Sequence, residues 1–164
     1  MCGQPARARQ RGGSGVGPSP VDRGRPGVKR HLATDRGGIP LAVLLTAANV
    51  NDSVVFEELI DSIGPTKRPR GRPRKRPEKL HADKAYDNRR CRGALTKRGI
   101  KIRIARIGVD SSDKLGRHRW VVERTLAWYP QMHRRLRIRY ERRGDIWEAW
   151  HHLASALICL RYLA

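Results

Sequence analysis

The apolar and polar positions divide the chain into a broken first stretch and an alternation of strands and helices after it. Residues 1–28 carry Gly, Pro, Arg and Ser in every short window, as in Arg7-Ala8-Arg9-Gln10-Arg11-Gly12-Gly13. No periodic apolar stripe survives such breakers, so a mobile basic arm is expected there. From Lys29 the pattern changes. Lys29 to Asp35 is strand-like, Arg36-Gly37-Gly38 is a turn, and Ile39 to Thr46 is an apolar run of strand length with Pro40 near its start. The two predict a β-hairpin. Asn51-Asp52-Ser53 predicts a helix start, followed by the stripe Val54, Val55, Phe56, Leu59, Ile60 and Ile63 and stopped by Gly64-Pro65.

After a proline-interrupted charge run over 67–79, Lys79 to Asp83 predicts a short strand and 87–98 a helix ended by Gly99. Asp87 is expected to cap that helix. Ile100 to Ala105 alternates apolar with basic and reads as another strand. A polar loop over 106–116 precedes a helix at 117–129 that meets Pro130, and Asp145 is placed to cap a last helix to about 163. Ile146, Trp147, Trp150, Leu153, Leu157 and Leu160 are its expected buried face. The order β-β-α-β-α-β-α-α predicts one mixed α/β domain.

Charge changes the picture. Lys and Arg total 36 against 15 Asp and Glu, a net charge of +21 in 164 residues. Such an excess predicts a polyanionic partner, with nucleic acid ahead of an anionic membrane surface. No apolar run is long enough to span a bilayer, and the basic N-terminus lacks the apolar core of a secretory signal. The three cysteines Cys2, Cys91 and Cys159 are few and widely spaced, which argues against a disulfide framework and a zinc site and for a reduced, cytoplasmic setting.

Two acids then acquire meaning. Asp83 closes a short strand, and Glu123 lies on a helix forty residues on, with Arg119 one turn before it. Carboxylates on rigid elements are the ligands that a hard divalent ion takes, and such ions serve phosphodiester chemistry. Arg119 would hold Glu123 or clamp a phosphate. Taken bare, the pair is weak: most strand-tip Asp residues only start helices, and most helical Glu residues are solvated.

The wording around the acids is more specific. Ala82-Asp83-Lys84-Ala85-Tyr86-Asp87 and Trp120-Val121-Val122-Glu123-Arg124-Thr125-Leu126-Ala127-Trp128 resemble small bacterial insertion-sequence transposases of the DDE type. So do Gly17-Pro18-Ser19-Pro20, Pro40-Leu41-Ala42-Val43, Thr46-Ala47-Ala48-Asn49 and Arg135-Leu136-Arg137-Ile138-Arg139-Tyr140-Glu141-Arg142-Arg143, in the family's order. The resemblance implies a ribonuclease-H-like α/β fold, a mixed sheet flanked by helices and incomplete at its N-terminus, with a partial catalytic domain at 29–164. It implies Mg2+ (or Mn2+) held by three acids, of which Asp83 matches the second and Glu123 the third. The first falls at or before Met1, and no Asp precedes Asp22. Gly116 stands where the family has Tyr, and Pro130 where it has a basic residue. Little activity is therefore expected of these residues alone. A truncated remnant and the downstream product of a frameshifted gene both account for the missing acid.

The implied partner is double-stranded DNA, at element ends and target. A second copy or an upstream-frame product is a possible protein partner, no membrane is involved, and the setting is the nucleoid. Two basic segments are candidate contacts. Pro69-Arg70-Gly71-Arg72-Pro73, extended by Arg74 and Lys75, is similar to an AT-hook core, which would lie in a narrow minor groove. A solvated loop touching phosphates is the plainer reading. Arg134, Arg135, Arg137 and Arg139 would face phosphates while Leu136, Ile138 and Tyr140 pack. The four tryptophans are read as core rather than base-stacking. A DNA-binding remnant that inhibits transposition stays open beside the enzyme, and an RNA-binding basic protein is a weaker third.

Overall fold

The computed structural model describes residues 3–8, 13–65, 70–74, 76–109 and 116–163, with the backbone alone for 3–8 and 116–119. In chain order the elements are β1 (Gly3–Ala8), β2 (Gly17–Pro18), β3 (Pro26–Thr34), β4 (Pro40–Ala47), α1 (Phe56–Asp61), β5 (Lys79–Ala82), α2 (Arg89–Lys97), β6 (Lys101–Ile104), α3 (Gly116–Met132), β7 (Ile138–Arg139) and α4 (Gly144–Arg161). The α/β class is as expected. Among the described residues no helix is long and apolar enough to cross a membrane.

The β3–β4 hairpin is the centre. Leu32 pairs with Val43 and Ala33 with Ala42, so successive rungs point to opposite faces. Ala33, Ala42 and Leu44 pack with α1, β5, α2 and β6 in one core, built on Phe56, Leu80, Tyr86 and Leu95. Val28, Leu32 and Val43 pack with α3 and α4 in the other, around Leu126, Tyr129, Trp147 and Ile158. Burial on both faces explains why β4 reads as a continuous apolar run. The strands form two sheets among the described residues: β1, β2, β3, β4 and β7 in one, and the parallel pair β5–β6 in the other. The single mixed sheet expected is thus divided, and the two parts share the core on the Ala33 face.

The expected mobile arm over 1–28 is corrected for its described residues, 3–8 and 13–28. β1 lies between β3, antiparallel, and β7, parallel. Residues 13–18 are packed by the very glycines that looked like breakers. A Cβ on Gly13 would sit 2.6 Å from the Arg142 carbonyl oxygen, and one on Gly17 would sit 2.2 Å from Asn49 Oδ1. Glycine there allows close approach to partners far along the chain.

Helix ends also differ from expectation. Asn88, not Asp87, caps α2, accepting from the Cys91 backbone N–H at 2.8 Å. Asp87 instead accepts from the Ile107 N–H and from Arg92, and these bonds hold its carboxyl below the usual range. Val55, without a side-chain bond, precedes α1, and Asn51 folds back on Ser53. Asp145 does not cap α4; Ser14 Oγ accepts from the Gly144 N–H at 2.6 Å. α3 runs through Pro130 to Met132, held by buried Leu126 and Tyr129. The buried face of α4 is Trp147, His151, Ala154 and Ile158. Of the six residues expected there, only Trp147 is buried.

His151 faces a buried arginine. Arg30 donates from Nε to His151 Nε2 at 2.7 Å and from Nη2 to the Leu136 carbonyl at 2.6 Å. Since arginine only donates, His151 must accept at Nε2 and carry its proton on Nδ1, which donates to the Trp147 carbonyl at 2.8 Å. A second proton would set two donors against each other. Burial and the neighbouring Arg30 hold His151 down at about 3, and burial holds His31 down at about 4. The unfolded chain binds these protons near pH 6.5 and the folded chain does not. Stability is therefore full above that pH and falls as pH drops toward 4, by about 1–2 kcal/mol per histidine between pH 7 and pH 5. Urea midpoints followed by circular dichroism should show the fall, and His151→Gln, which keeps an acceptor, should reduce it by about half, leaving the share of His31. A midpoint constant from pH 7 to 5 would refute the assignment.

Candidate active site

Asp83 is placed by three local features. β5 ends at buried Ala82, and Asp83 follows in an extended conformation. Its carboxylate accepts from the Lys84 backbone N–H at 2.6 Å and so caps the single 3-10 turn Lys84–Tyr86. Tyr86 then returns to the core and packs on Phe56 with ring centroids 5.2 Å apart. The half-buried carboxylate is thus fixed between two core anchors, Ala82 and Tyr86.

Glu123 is in the second turn of α3, also half-buried. Its neighbours pin the helix to the β3–β4 turn. Thr125 Oγ1 donates to the Gly38 carbonyl at 2.8 Å, and Arg124 donates to the Gly37 carbonyl. The Arg124 guanidinium lies between the Trp120 and Trp128 rings, 4.6 and 4.9 Å from their centroids. Tyr162 adds a bond from its hydroxyl to the Gly37 carbonyl at 3.2 Å. Cation–π contacts of this kind are worth roughly 0.5–2 kcal/mol each. The Trp-x3-Arg-x3-Trp spacing that builds the stack is visible in the sequence, one helical turn on either side of Arg124. The spacing alone does not reveal that the stack clamps the hairpin turn. The tryptophans are divided: Trp147 is buried, Trp128 half-buried, and Trp120 and Trp150 are exposed. Arg119 lies on the α3 backbone one turn before Glu123, and its side chain is outside the described residues.

The two acids come from opposite sides of the hairpin. β5 shares the core on the Ala33 face of the hairpin, and α3 grips the turn itself at Gly37 and Gly38. As a metal site the donor set fits in type, since carboxylate oxygens suit Mg2+ or Mn2+. It is short in number: among the described residues no cluster of three His, Cys, Asp or Glu is placed to hold an ion.

The cations expected to face DNA divide into exposed and buried ones. Arg70, Arg72 and Arg74 are exposed around Gly71, whose φ is +88°. Lys75 and Pro69 lie outside the described residues. Arg72, Arg74 and Arg76 line an open cleft with Lys101 and Arg98. Arg98 is not available to a ligand, because it is bonded to Asp61 through two nitrogens and to Glu57. Arg134, Arg135 and Arg137 are exposed. Arg139 corrects the expectation of a phosphate contact: it is 4% exposed. It donates to the carbonyls of Glu141, Ser14 and Arg142, which ties residues 13–14 to the start of α4. Leu136 is buried as expected, whereas Tyr140 is exposed and stacks on Arg135.

Comparison with known proteins follows the same lines. The family model described as "Transposase DDE domain" matches residues 3–159. A relative from Burkholderia cepacia, "Putative transposase for insertion sequence element IS402", is 49% identical over 152 residues, covering 93% of this chain and 72% of its own length. No solved structure matches. A family match that begins in β1 and ends in α4, with near half-identity to that relative, establishes that the chain belongs to the DDE-domain transposases, the proteins of DNA transposition.

Proposed function

We propose that this chain performs the DNA-strand chemistry of transposition, cleaving phosphodiesters and transferring strands at insertion-sequence ends, with Asp83 and Glu123 as ligands of one divalent-metal site. The observation that carries this reading is the independent fixing of each acid. Asp83 is held by β5, the Lys84 N–H and Tyr86, and Glu123 by the Arg124–Thr125 grip on the hairpin turn. Rigid placement of ligands is what a catalytic metal site requires. The fold that would unite the two sheets is ribonuclease-H-like. A bound Mg2+ or Mn2+ supplies positive charge at the scissile phosphate. Arg119 holds Glu123 or clamps a phosphate beside it. Asp83 and Glu123 are two acids of a set of three, so cleavage is expected only when a third carboxylate is supplied, in cis or in trans.

Two experiments test this. Iron(II) with ascorbate, replacing Mg2+, should cut the backbone near both Asp83 and Glu123, and excess Mg2+ should suppress both cuts. Cutting at only one position, or at neither, refutes a shared site. Mixed with a polypeptide bearing the third acid, the chain should nick end-containing duplex with Mg2+ or Mn2+ and not with a chelator present. A second reading, a DNA-binding protein without cleavage that blocks the complete enzyme, draws on the absence of a three-acid cluster among the described residues. Tight DNA binding with no cutting in either assay would favour it.

DNA is steered by Arg70, Arg72, Arg74 and Lys75 on one side and by Arg134, Arg135 and Arg137 on the other, in the bacterial nucleoid. Replacing Arg70, Arg72 and Arg74 with glutamine should weaken binding and flatten the dependence of log K on log salt by roughly 2–3. Filter binding across a salt series measures it. An unchanged slope would remove this loop from the interface. Preference for A·T-rich duplex, lost in the same variant, would distinguish minor-groove insertion from phosphate contact.

A further inference from the structure

β5 and β6 divide their residues between two faces. Leu80, Ala82 and Ile104 are buried in the core on the Ala33 side, and Ile102 packs against it. Alternation sends the residues between them to the other face. There the parallel register sets Lys79 beside Lys101 and His81 beside Arg103. Lys79, Lys101 and Arg103 are exposed, and His81 is half-buried. Asp83 follows His81 by two residues in extended backbone, so it leaves from this same face. No acid interrupts the row between Glu78 and Asp83 or along β6. β6 is fixed beyond its pairing with β5, because Arg92 donates to the Ile104 carbonyl at 3.0 Å.

The row begins at the basic loop. Lys101 is also a wall of the open cleft lined by Arg72, Arg74 and Arg76. Glu78 stands at that junction, 3.4 Å from Lys101 and 3.9 Å from Arg74. All three side chains are exposed, and exposed bridges of this kind are weak, so a phosphate can displace the carboxylate. The cleft, the outer face of β5–β6 and Asp83 form one continuous path.

We propose that this path carries one strand of duplex DNA into the candidate site, its backbone running along the outer face of β5–β6 from the cleft to Asp83. Lys79, Lys101 and Arg103 are its phosphate contacts. The path rests on the reading of Asp83 as a ligand at the scissile phosphate, and it gives that reading a register. From Lys79 to Asp83 the strand rises about 13 Å, at roughly 3.3 Å per residue. One nucleotide of duplex advances about 3.4 Å along the axis. Lys79 and Lys101 therefore meet a phosphate about four nucleotides from the scissile bond, and Arg103, level with His81, meets one about two nucleotides away.

Salt dependence tests the face and substrate chemistry tests the order. Lys79→Gln, Lys101→Gln and Arg103→Gln together should lower the slope of log K against log salt by roughly 2–3, with an unchanged melting temperature. The same replacement at Arg23, Arg25 and Arg161, three exposed cations on other elements, should lower it by less than about one. Filter binding with a chelator present reads both, so this result needs no metal ion, and iron-directed cutting tests the metal site separately. Equal losses in the two triple variants overturn the proposal, because net charge alone would then set the affinity. Should the first triple variant unfold, each single variant should still lower the slope by about 0.9. Once the third acid is supplied, an uncharged methylphosphonate about two nucleotides from the nick should slow the parent about tenfold and leave Arg103→Gln unaffected. One placed about four nucleotides away should slow the parent and leave Lys101→Gln unaffected. Sensitivity that both variants keep refutes the ordered path. If no mixture nicks DNA, the metal-site reading fails and the salt slopes decide the path alone.

Discussion

Glu123→Gln should lower metal-dependent nicking by about 1000-fold or more while leaving the fold intact, once the third acid is supplied. The amide keeps the shape and one acceptor oxygen but removes the charge that a hard divalent ion requires. The ion contributes several kcal/mol of charge stabilisation to phosphoryl chemistry. Losing about 4 kcal/mol of it corresponds to roughly three powers of ten in rate. Glu123 is half-buried at the surface of α3, while Val121, Thr125 and Leu126 carry the packing. The melting temperature should therefore stay within a few degrees of the parent. Asp83→Asn separates two roles of the other acid. Its remaining carbonyl can still accept from the Lys84 N–H, so the cap survives and only the charge is lost. A comparable fall in nicking is expected, with DNA affinity equal or slightly higher because a negative charge has left a cationic surface. Nicking within tenfold of the parent for either variant would exclude that acid from the metal site.

How much of this could be read from the residues depends on how local the cause is. The β3–β4 hairpin, β5, α2 and β6 are recognisable because alternation and glycine stops act within a few positions, although the cap of α2 falls on Asn88 and not on the expected Asp87. Residues 13–18 are not, because what packs them is far away: Ser14 meets Gly144, and Gly17 meets Asn49. Without those partners a glycine-rich stretch looks like a linker. The same reason inverts α4. Apolar content points to Ile146, Trp150, Leu153, Leu157 and Leu160, but the buried face includes His151, which becomes a core residue only through Arg30 on β3. In the candidate site the acids are legible, as a strand tip and a helical glutamate. What holds the helix is half legible. Trp120, Arg124 and Trp128 announce a stack, yet nothing local says that its guanidinium reaches the Gly37 carbonyl. Likewise Arg139 reads as one more DNA-facing cation until its three carbonyl partners are seen.

Gly38→Ala should be among the most damaging single changes in the molecule, because one small residue meets two separate constraints there. Its φ is +95°, beyond the range that side-chain-bearing residues adopt easily. A Cβ would stand 2.7 Å from Arg124 Nη2 and 2.9 Å from Thr125 Oγ1, with Val121 Cγ1 behind them at 3.4 Å. The arginine tip can move aside. Thr125 cannot, being fully buried and bonded to the carbonyl of that same glycine. Backbone strain costs about 1–3 kcal/mol. Displacing the buried hydroxyl from its acceptor costs about 1–3 kcal/mol more. Together they predict a melting temperature lower by roughly 10 °C for a domain of this size. Gly24→Ala is the matched control. It has φ +71° with nothing within 4 Å of its Cβ, so it should show the backbone cost alone. The comparison reaches function as well. Lifting α3 off the hairpin turn moves Glu123 with it, so Gly38→Ala should lose nicking below the melting transition and Gly24→Ala should not. Equal destabilisation in the two variants would mean that α3 does not grip the turn, and the placement of Glu123 would lose its physical basis.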